Sequence, residues 1–226
     1  QNALYLLTRL LLSSTTRIGV ENPCFREAIN TFLLADAEVV PHPVDEEGIV
    51  LNERPCDYYY VTPGHQVPTG VTMSSARRRQ LLEHAARHDA VIIEDDYDSE
   101  SNFTLNPLPA LKASDRSGRV VYVSSLSKAL SPGLRLGFMV ADPDLIDEAR
   151  ALRRLVYRHP PTNIQYQMAH FLAQGHYETH LRRYHYDSAQ RWERLHAALQ
   201  RYLPSCRALA GSEHANAFWL QTPAQI

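Results

Sequence analysis

The sequence predicts an α/β fold, with a mostly parallel sheet in a large N-terminal unit and part of a small C-terminal α/β lobe after it. Three observations carry the expectation. Short β-branched runs alternate with helical periodicity up to about Val140. Val91-Ile92-Ile93 and Val120-Val121-Tyr122-Val123 are apolar at consecutive positions, as strands covered on both faces are. After Pro143 the texture changes to long helical segments.

Taken in order, apolar residues at three- and four-residue spacing predict helices over 2–12, 25–34 and 75–87, interleaved with strands over 17–20, 37–40, 58–62, 90–94, 119–124 and 136–140. Helices are then expected over 144–158, 164–173 and 177–203, the last rich in Tyr and His, with a short strand over 217–220. The division is a large unit over 1–150, incomplete at its N-terminus, and a linking helix with a partial small lobe over 151–226. Both ends read as cut, because no helix-start signal precedes Asn2 and the chain stops on Gln221-Thr222-Pro223 as a strand hands over to the next element.

Composition narrows the function classes. The 226 residues are 44% apolar and 21% charged, which excludes disordered, collagen-like and coiled-coil chains. With 23 Lys+Arg against 25 Asp+Glu, no chain-wide basic field exists to hold nucleic acid. The runs Arg77-Arg78-Arg79 and Arg153-Arg154 read as solvated helix faces. Cys24, Cys56 and Cys206 are odd in number and widely spaced, so the default is a reducing cytoplasm with neither disulfide framework nor structural zinc. No apolar run reaches the ~18 residues that span a bilayer; residues 4–12 are interrupted by Thr8 and Arg9.

Three strand ends carry polar groups suited to chemistry. Ser125-Leu126-Ser127-Lys128 and Pro132-Gly133-Leu134-Arg135 follow a buried strand, so their side chains emerge at the carboxyl edge, where open α/β sheets bind ligands. Lys128 could act as a Schiff-base amine, with Ser125, Ser127 and Arg135 collecting a phosphate; a surface lysine in a serine-rich turn is the plainer reading. Glu94-Asp95-Asp96-Tyr97-Asp98-Ser99-Glu100 also ends a buried strand. There Glu94 and Asp96 share one face and Asp95 takes the other with Ile93 and Val91. A fixed Asp95 could keep a pyridine nitrogen protonated, and Tyr97 could donate to a ring oxygen. A calcium loop fails on spacing, since Ser101 and Pro107 stand where Gly and Glu are needed. Thr62-Pro63-Gly64-His65-Gln66 with Pro68-Thr69-Gly70 is a rigid turn that could press polar groups against a flat ligand. His176 and His180 lack the zinc-protease order and read as exposed helix histidines.

These three motifs, in this order, resemble those of fold-type-I pyridoxal-phosphate proteins, most of all the aminotransferase-like domain of MocR-type (GabR-like) transcriptional regulators, over essentially the whole chain. The resemblance implies pyridoxal 5'-phosphate as cofactor on a large domain over 1–150. It implies Lys128 as the residue forming the internal aldimine, Asp95 at the pyridine nitrogen and Tyr97 at the ring oxygen. Ser125, Ser127 and Arg135 would hold phosphate, and His65 or Gln66 would lie near the ring. Phe25 matches an aromatic that stacks on the cofactor, and reads equally as a core Phe at a helix start. The family's glycine-rich phosphate loop would precede Gln1, and its carboxylate-binding arginine would follow Ile226. Plain aminotransferases usually show Asn-Pro-Thr-Gly where this chain has His65-Gln66-Val67-Pro68-Thr69-Gly70, a variation closer to the regulators.

The resemblance implies an effector-sensing domain in which an amine or amino acid replaces Lys128 on the cofactor and changes the geometry of the small lobe. DNA would be contacted only through a winged-helix domain absent from this chain. The alternative is a class I/II aminotransferase acting on an amino acid with the same residues. A homodimer, no membrane and a cytoplasmic location complete the expectation.

Overall fold

The computed structural model describes residues 1–52, 54–98, 100, 108–208 and 217–223. Its centre is a seven-stranded sheet in the order β3-β2-β1-β4-β5-β6-β7. The strands are β1 (Arg17–Asn22), β2 (Glu38–Asp45), β3 (Gly48–Ile49), β4 (Tyr58–Val61), β5 (Val91–Asp96), β6 (Val120–Ser125) and β7 (Gly137–Val140). The five from β2 to β6 in that order pair parallel, and the two edge strands, β3 and β7, pair antiparallel.

Period-two alternation sorts the central strands into two cores. Tyr60, Ile93 and Val121 lie in register across β4, β5 and β6 and join Leu4, Leu7, Ile18 and Phe32. Their neighbours Tyr59, Ile92 and Val120 point the other way, to Met73, Leu81 and Leu111. The first core is covered by α1 (Asn2–Leu11) and α2 (Arg26–Leu33), the second by α3 (Ser75–His88) and α4 (Leu111–Ser114). α3 starts at Ser74, whose side chain accepts from the Arg77 N–H, and ends at Asp89 in the left-handed region. From β7 the chain enters α5 (Pro143–Tyr157), capped by Asp142, then α6 (Thr162–Ala173) and the 27-residue α7 (His176–Tyr202).

Each long helix and strand expected from sequence is present. β2 runs past Val40 through Pro41 and Pro43, because the Pro43 carbonyl accepts from the Val50 N–H on the β3 side. Alternation therefore turns the side on which both prolines lack a donor away from β1, and the β1 ladder is intact. α4 and β3 are too short for periodicity to show. The strand expected over 217–220 is reduced to β9 (Leu220–Gln221), paired with β8 (Arg207–Ala208).

Arg78 corrects the reading of its run as surface. It is 8% exposed, and its guanidinium donates to the carbonyls of Met73 (2.9 Å), Pro109 (2.7 Å) and Pro63 (2.8 Å). A single cation thus ties the loop after β4 to the one after β5, beside the buried carboxyls of Glu94 and Asp96. Glu94 itself accepts from the N–H groups of Leu111 (2.6 Å) and Lys112 (2.8 Å), satisfying the first donors of α4. On the other side of β4, Glu21 Oε2 accepts from the Thr62 N–H (3.2 Å), the Thr62 hydroxyl (2.7 Å) and the Gln66 amide (3.3 Å), while Oε1 has no partner among the described residues.

Burial pushes both Glu21 and Glu94 from 4.5 up to about 7. Each therefore keeps a proton in the folded chain that the unfolded chain releases above pH 4.5, so this stability is full below 4.5 and is lost as pH rises through 7. Thermal unfolding of the cofactor-free chain is expected at a higher temperature at pH 5.5 than at pH 8. Glu21→Gln should reduce the stability difference between those two pH values by about 2 kcal/mol; an unchanged difference would contradict the buried-carboxyl account. Arg78→Leu leaves two acidic groups and three carbonyls without their cation, and should lower urea stability by about 3–5 kcal/mol.

Candidate functional site

The end of β5 distributes its acids by parity. Glu94 and Asp96 face α3 and α4, where Tyr122 donates to Asp96 at 2.8 Å. Asp95 faces the α1 side, and the Tyr60 hydroxyl donates to its Oδ2 at 2.7 Å. Tyr60 is the one side-chain donor to Asp95 among the described residues, so Oδ1 is open to a ligand. Burial raises the Asp95 carboxyl to about 6, with the Tyr60 hydrogen bond acting the other way. Burial also pushes the Tyr60 and Tyr97 phenols well above the usual tyrosine range, so both remain neutral donors.

The turn between β6 and β7 brings the basic groups to the same place. The antiparallel pairing of Ser125 with Gly137, and the Leu126 N–H donating to the Leu136 carbonyl at 3.0 Å, close a hairpin whose loop carries Lys128. That closure is why Arg135, distant from Ser125 in sequence, returns beside it. Gly137 is required at this crossing, since a Cβ would stand 2.6 Å from the Ser124 carbonyl oxygen. Arg135 sits in the left-handed region at φ 49°. The Ser127 N–H donates to Ser125 Oγ at 3.2 Å, and Lys128 Nζ lies 4.2 Å from the centre of the Tyr97 ring.

A cavity of about 830 Å³ joins these groups: Asp95, Tyr97, Ser125, Ser127, Lys128, Arg135 and Phe25 all line it. Phe25 precedes the first turn of α2, packs against the core and borders the cavity. His65 and Gln66 are not brought to this space. His65 is 3% exposed and bonds Asp98 through Nδ1 at 3.1 Å. Gln66 donates to the carbonyls of Pro23 and Val67, both at 2.7 Å, and accepts from the Thr69 hydroxyl at 2.6 Å. Both are occupied inside the wall, and Val67 faces the cavity in their place. Ser99, Ser101 and Pro107 lie outside the described residues.

Several lining residues had no sequence signal of their own. Tyr60 reads as a strand residue; only the β4–β5 register shows that it reaches Asp95. Ile146, Ala149, Arg150, Arg153 and Tyr157 form one face of α5 along the cavity, so the run Arg153-Arg154 is surface at Arg154 alone. His180, expected as an exposed helix histidine, donates from Nε2 to the Ala129 carbonyl at 2.6 Å, tying α7 to the residue after Lys128.

Comparison with known proteins gives the same family from two directions. The chain is 38% identical over 206 residues to the probable rhizopine catabolism regulatory protein MocR of Rhizobium meliloti, covering 90% of this chain and 42% of that one. It is 37% identical to the HTH-type transcriptional regulator TauR of Rhodobacter capsulatus, covering 100% and 47%. The chain thus spans less than half the length of these two relatives. Among solved structures, the kynurenine aminotransferase of Pyrococcus horikoshii, crystallised with PMP, superposes with a TM-score of 0.90 at 27% identity, covering 99% of this chain and 58% of that one. No helix among the described residues is long and apolar enough to cross a membrane. Residues 1–214 match the aminotransferase class I and II family, and the chain belongs to that family.

Proposed function

We propose that this chain is the pyridoxal 5'-phosphate-binding, effector-sensing part of a MocR-type transcriptional regulator. The observation that carries the reading is the placing of the Lys128 amine and the Asp95 carboxyl on one cavity, with a hydroxyl and guanidinium set beside them. The donor set fits the cofactor in chemistry. An amine can meet its aldehyde, a carboxylate its ring nitrogen, and Ser125, Ser127 and Arg135 its phosphate. Tyr97 would donate to the ring oxygen and Phe25 would cover a ring face. His65 and Gln66 act behind the wall, holding the Pro63–Gly70 turn. When bound, the group supplies an aldehyde that condenses with amines and a ring that accepts electrons.

The chain's own residues orient and confine the reacting groups. Asp95, held by Tyr60, keeps the proton on the ring nitrogen. The Tyr97 ring under Lys128 Nζ confines the amine to one side of the cavity. Lys128 would hold the group through its amine, and the aldehyde that the group supplies would be open to an amine or amino-acid effector as well. His180 on the Ala129 carbonyl then passes any shift of that turn to α7. A regulatory output requires that the effector bind two conformations with different affinity.

In this reading residues 1–150 form the cofactor-binding unit and residues 151–226 the linking helix with part of a small lobe. DNA is contacted through a separate domain, as the names of the two regulator relatives suggest. A homodimer is part of the proposal, supported by the exposed apolar groups of Leu155, Phe138 and Val140, the last two on the edge strand β7. So is a cytoplasmic location, supported by three free cysteines. A second reading, a class I/II aminotransferase, is favoured by the aminotransferase relatives of known structure.

Incubation with pyridoxal phosphate should give a yellow chain that borohydride converts to a stable adduct on Lys128, and Lys128→Ala should lose both. Persistence of the adduct in that variant would overturn the assignment. Asp95→Asn should weaken cofactor binding about tenfold or more. In the unsubstituted chain, affinity should fall as pH drops from 7 to 5, because the raised Asp95 carboxyl becomes neutral there and cannot hold the ring proton. Full-length protein given an amino acid and a keto acid separates the two readings. Ligand binding without sustained turnover supports the regulator, and steady turnover supports the transaminase.

A further inference from the structure

His65 and Asp98 form a buried pair that the proposed chemistry does not use. Each residue is 3% exposed, and the imidazole Nδ1 donates to Asp98 Oδ2 at 3.1 Å. A hydrogen bond to a carboxylate away from water is strong and directional, so it fixes the two segments that make it.

The turn that carries His65 closes without the imidazole. The Gln66 N–H donates to the Val71 carbonyl (2.8 Å), the Gly70 N–H to the Gln66 carbonyl (2.7 Å), and the Thr72 hydroxyl to the Gly64 carbonyl (3.0 Å). The Gln66 side chain reaches the loop after β1, where it donates to the Pro23 carbonyl. The His65 ring goes the other way, to the loop after β5. Because β4 lies between β1 and β5 in the sheet, two adjacent residues of one turn tie down both neighbouring loops.

The residue between the anchored acids is Tyr97. Before it, Asp96 is held at its carboxyl by the Tyr122 hydroxyl (2.8 Å) and at its carbonyl by the Ser124 hydroxyl (2.9 Å). Gly64 lets the turn close on this point, since a Cβ there would stand 3.3 Å from Asp96 Oδ1. After it, Asp98 is held by His65. Pinned on both sides, the Tyr97 backbone gives its ring a fixed root, with Lys128 Nζ 4.2 Å from the ring centre. The phenol oxygen is at the end of a long lever, so a small backbone rotation displaces it by more than a hydrogen bond tolerates.

We propose that His65 is a positioning residue for Tyr97: by holding Asp98 it sets where the Tyr97 phenol meets the ring oxygen of the cofactor. The proposal rests on the cofactor reading, which supplies that oxygen. His65 thus serves the site from behind the wall, through the loop after β5.

The test uses full-length protein loaded with pyridoxal phosphate, with borohydride trapping on Lys128 measured first. The readout is the pH midpoint at which the yellow absorbance fades, which reports how tightly the nitrogen joining Lys128 to the group holds its proton. A donor on the ring oxygen draws charge from it and lowers that midpoint. Tyr97→Phe should therefore raise the midpoint, and His65→Leu should raise it by about 0.4–1 in pH, the worth of one hydrogen bond. His65→Asn, whose amide N–H stands in for the Nδ1 donor, should bring it most of the way back. In a Tyr97→Phe background His65→Leu should move the midpoint no further. A purely structural role would lower stability and leave the midpoint in place. An unmoved midpoint in His65→Leu, one that His65→Asn does not lower, or a shift that persists in the Tyr97→Phe background would overturn the positioning role and leave the cofactor assignment standing. Absence of trapping on Lys128 in the unsubstituted protein would instead remove the cofactor reading, and the positioning role with it. Should His65→Leu fail to fold, Asp98→Asn decides, since it weakens the same contact from the other end at nearly equal size: an unmoved midpoint there counts against the role.

Discussion

Strand alternation at the end of β5 is the constraint on which the rest of the site depends. Three consecutive acids leave a strand buried on both faces, and the pleat sends them to opposite sides of the sheet. Glu94 and Asp96 become structural, the one completing the donors of α4, the other held by Tyr122 near Arg78. Asp95 is left on the cavity side with Tyr60 as its partner. A one-residue slip of β5 would exchange these roles, placing two acids in the cavity and one in the wall. The apolar residues upstream fit either parity; the partners that await Glu94 at the start of α4 and Asp96 at Tyr122 oppose that slip.

Much of this architecture is legible in the sequence, for physical reasons. Apolar runs buried on both faces and helices with one apolar stripe have strong periodic signals, so every long helix and strand can be placed. The parity of Asp95 against Glu94 and Asp96 comes from the pleat alone. Residues meeting through tertiary register are not legible. Tyr60 and Asp95 are far apart in sequence, and their contact depends on β4 lying beside β5. Arg78 and Arg153 are misplaced by sequence reasoning because a basic run looks solvated, whereas the acceptors of Arg78 lie on other segments and Arg153 stands on the cavity face of α5. The Pro63–Gly70 turn reads as ligand-facing; its polar side chains turn inward because Glu21 and Asp98 offer them buried partners.

The hairpin joining β6 to β7 explains how one short segment contributes both amine and guanidinium. A parallel connection after β6 would have carried the chain away over the sheet. The antiparallel return brings Arg135 back beside Ser125 and allows Gly137 to pass close to the Ser124 carbonyl. Edge position makes this possible, because among the described residues β7 has only β6 as its neighbour. The same edge exposes Phe138 and Val140.

Arg78 has a further implication for redesign. Since one guanidinium grips carbonyl oxygens from the crossover after β4 and from the one after β5, those two stretches behave as a single mechanical part. Swapping either stretch alone for its counterpart in another protein would orphan the acceptors of the other, so diversification of this rim has to proceed by exchanging both segments together.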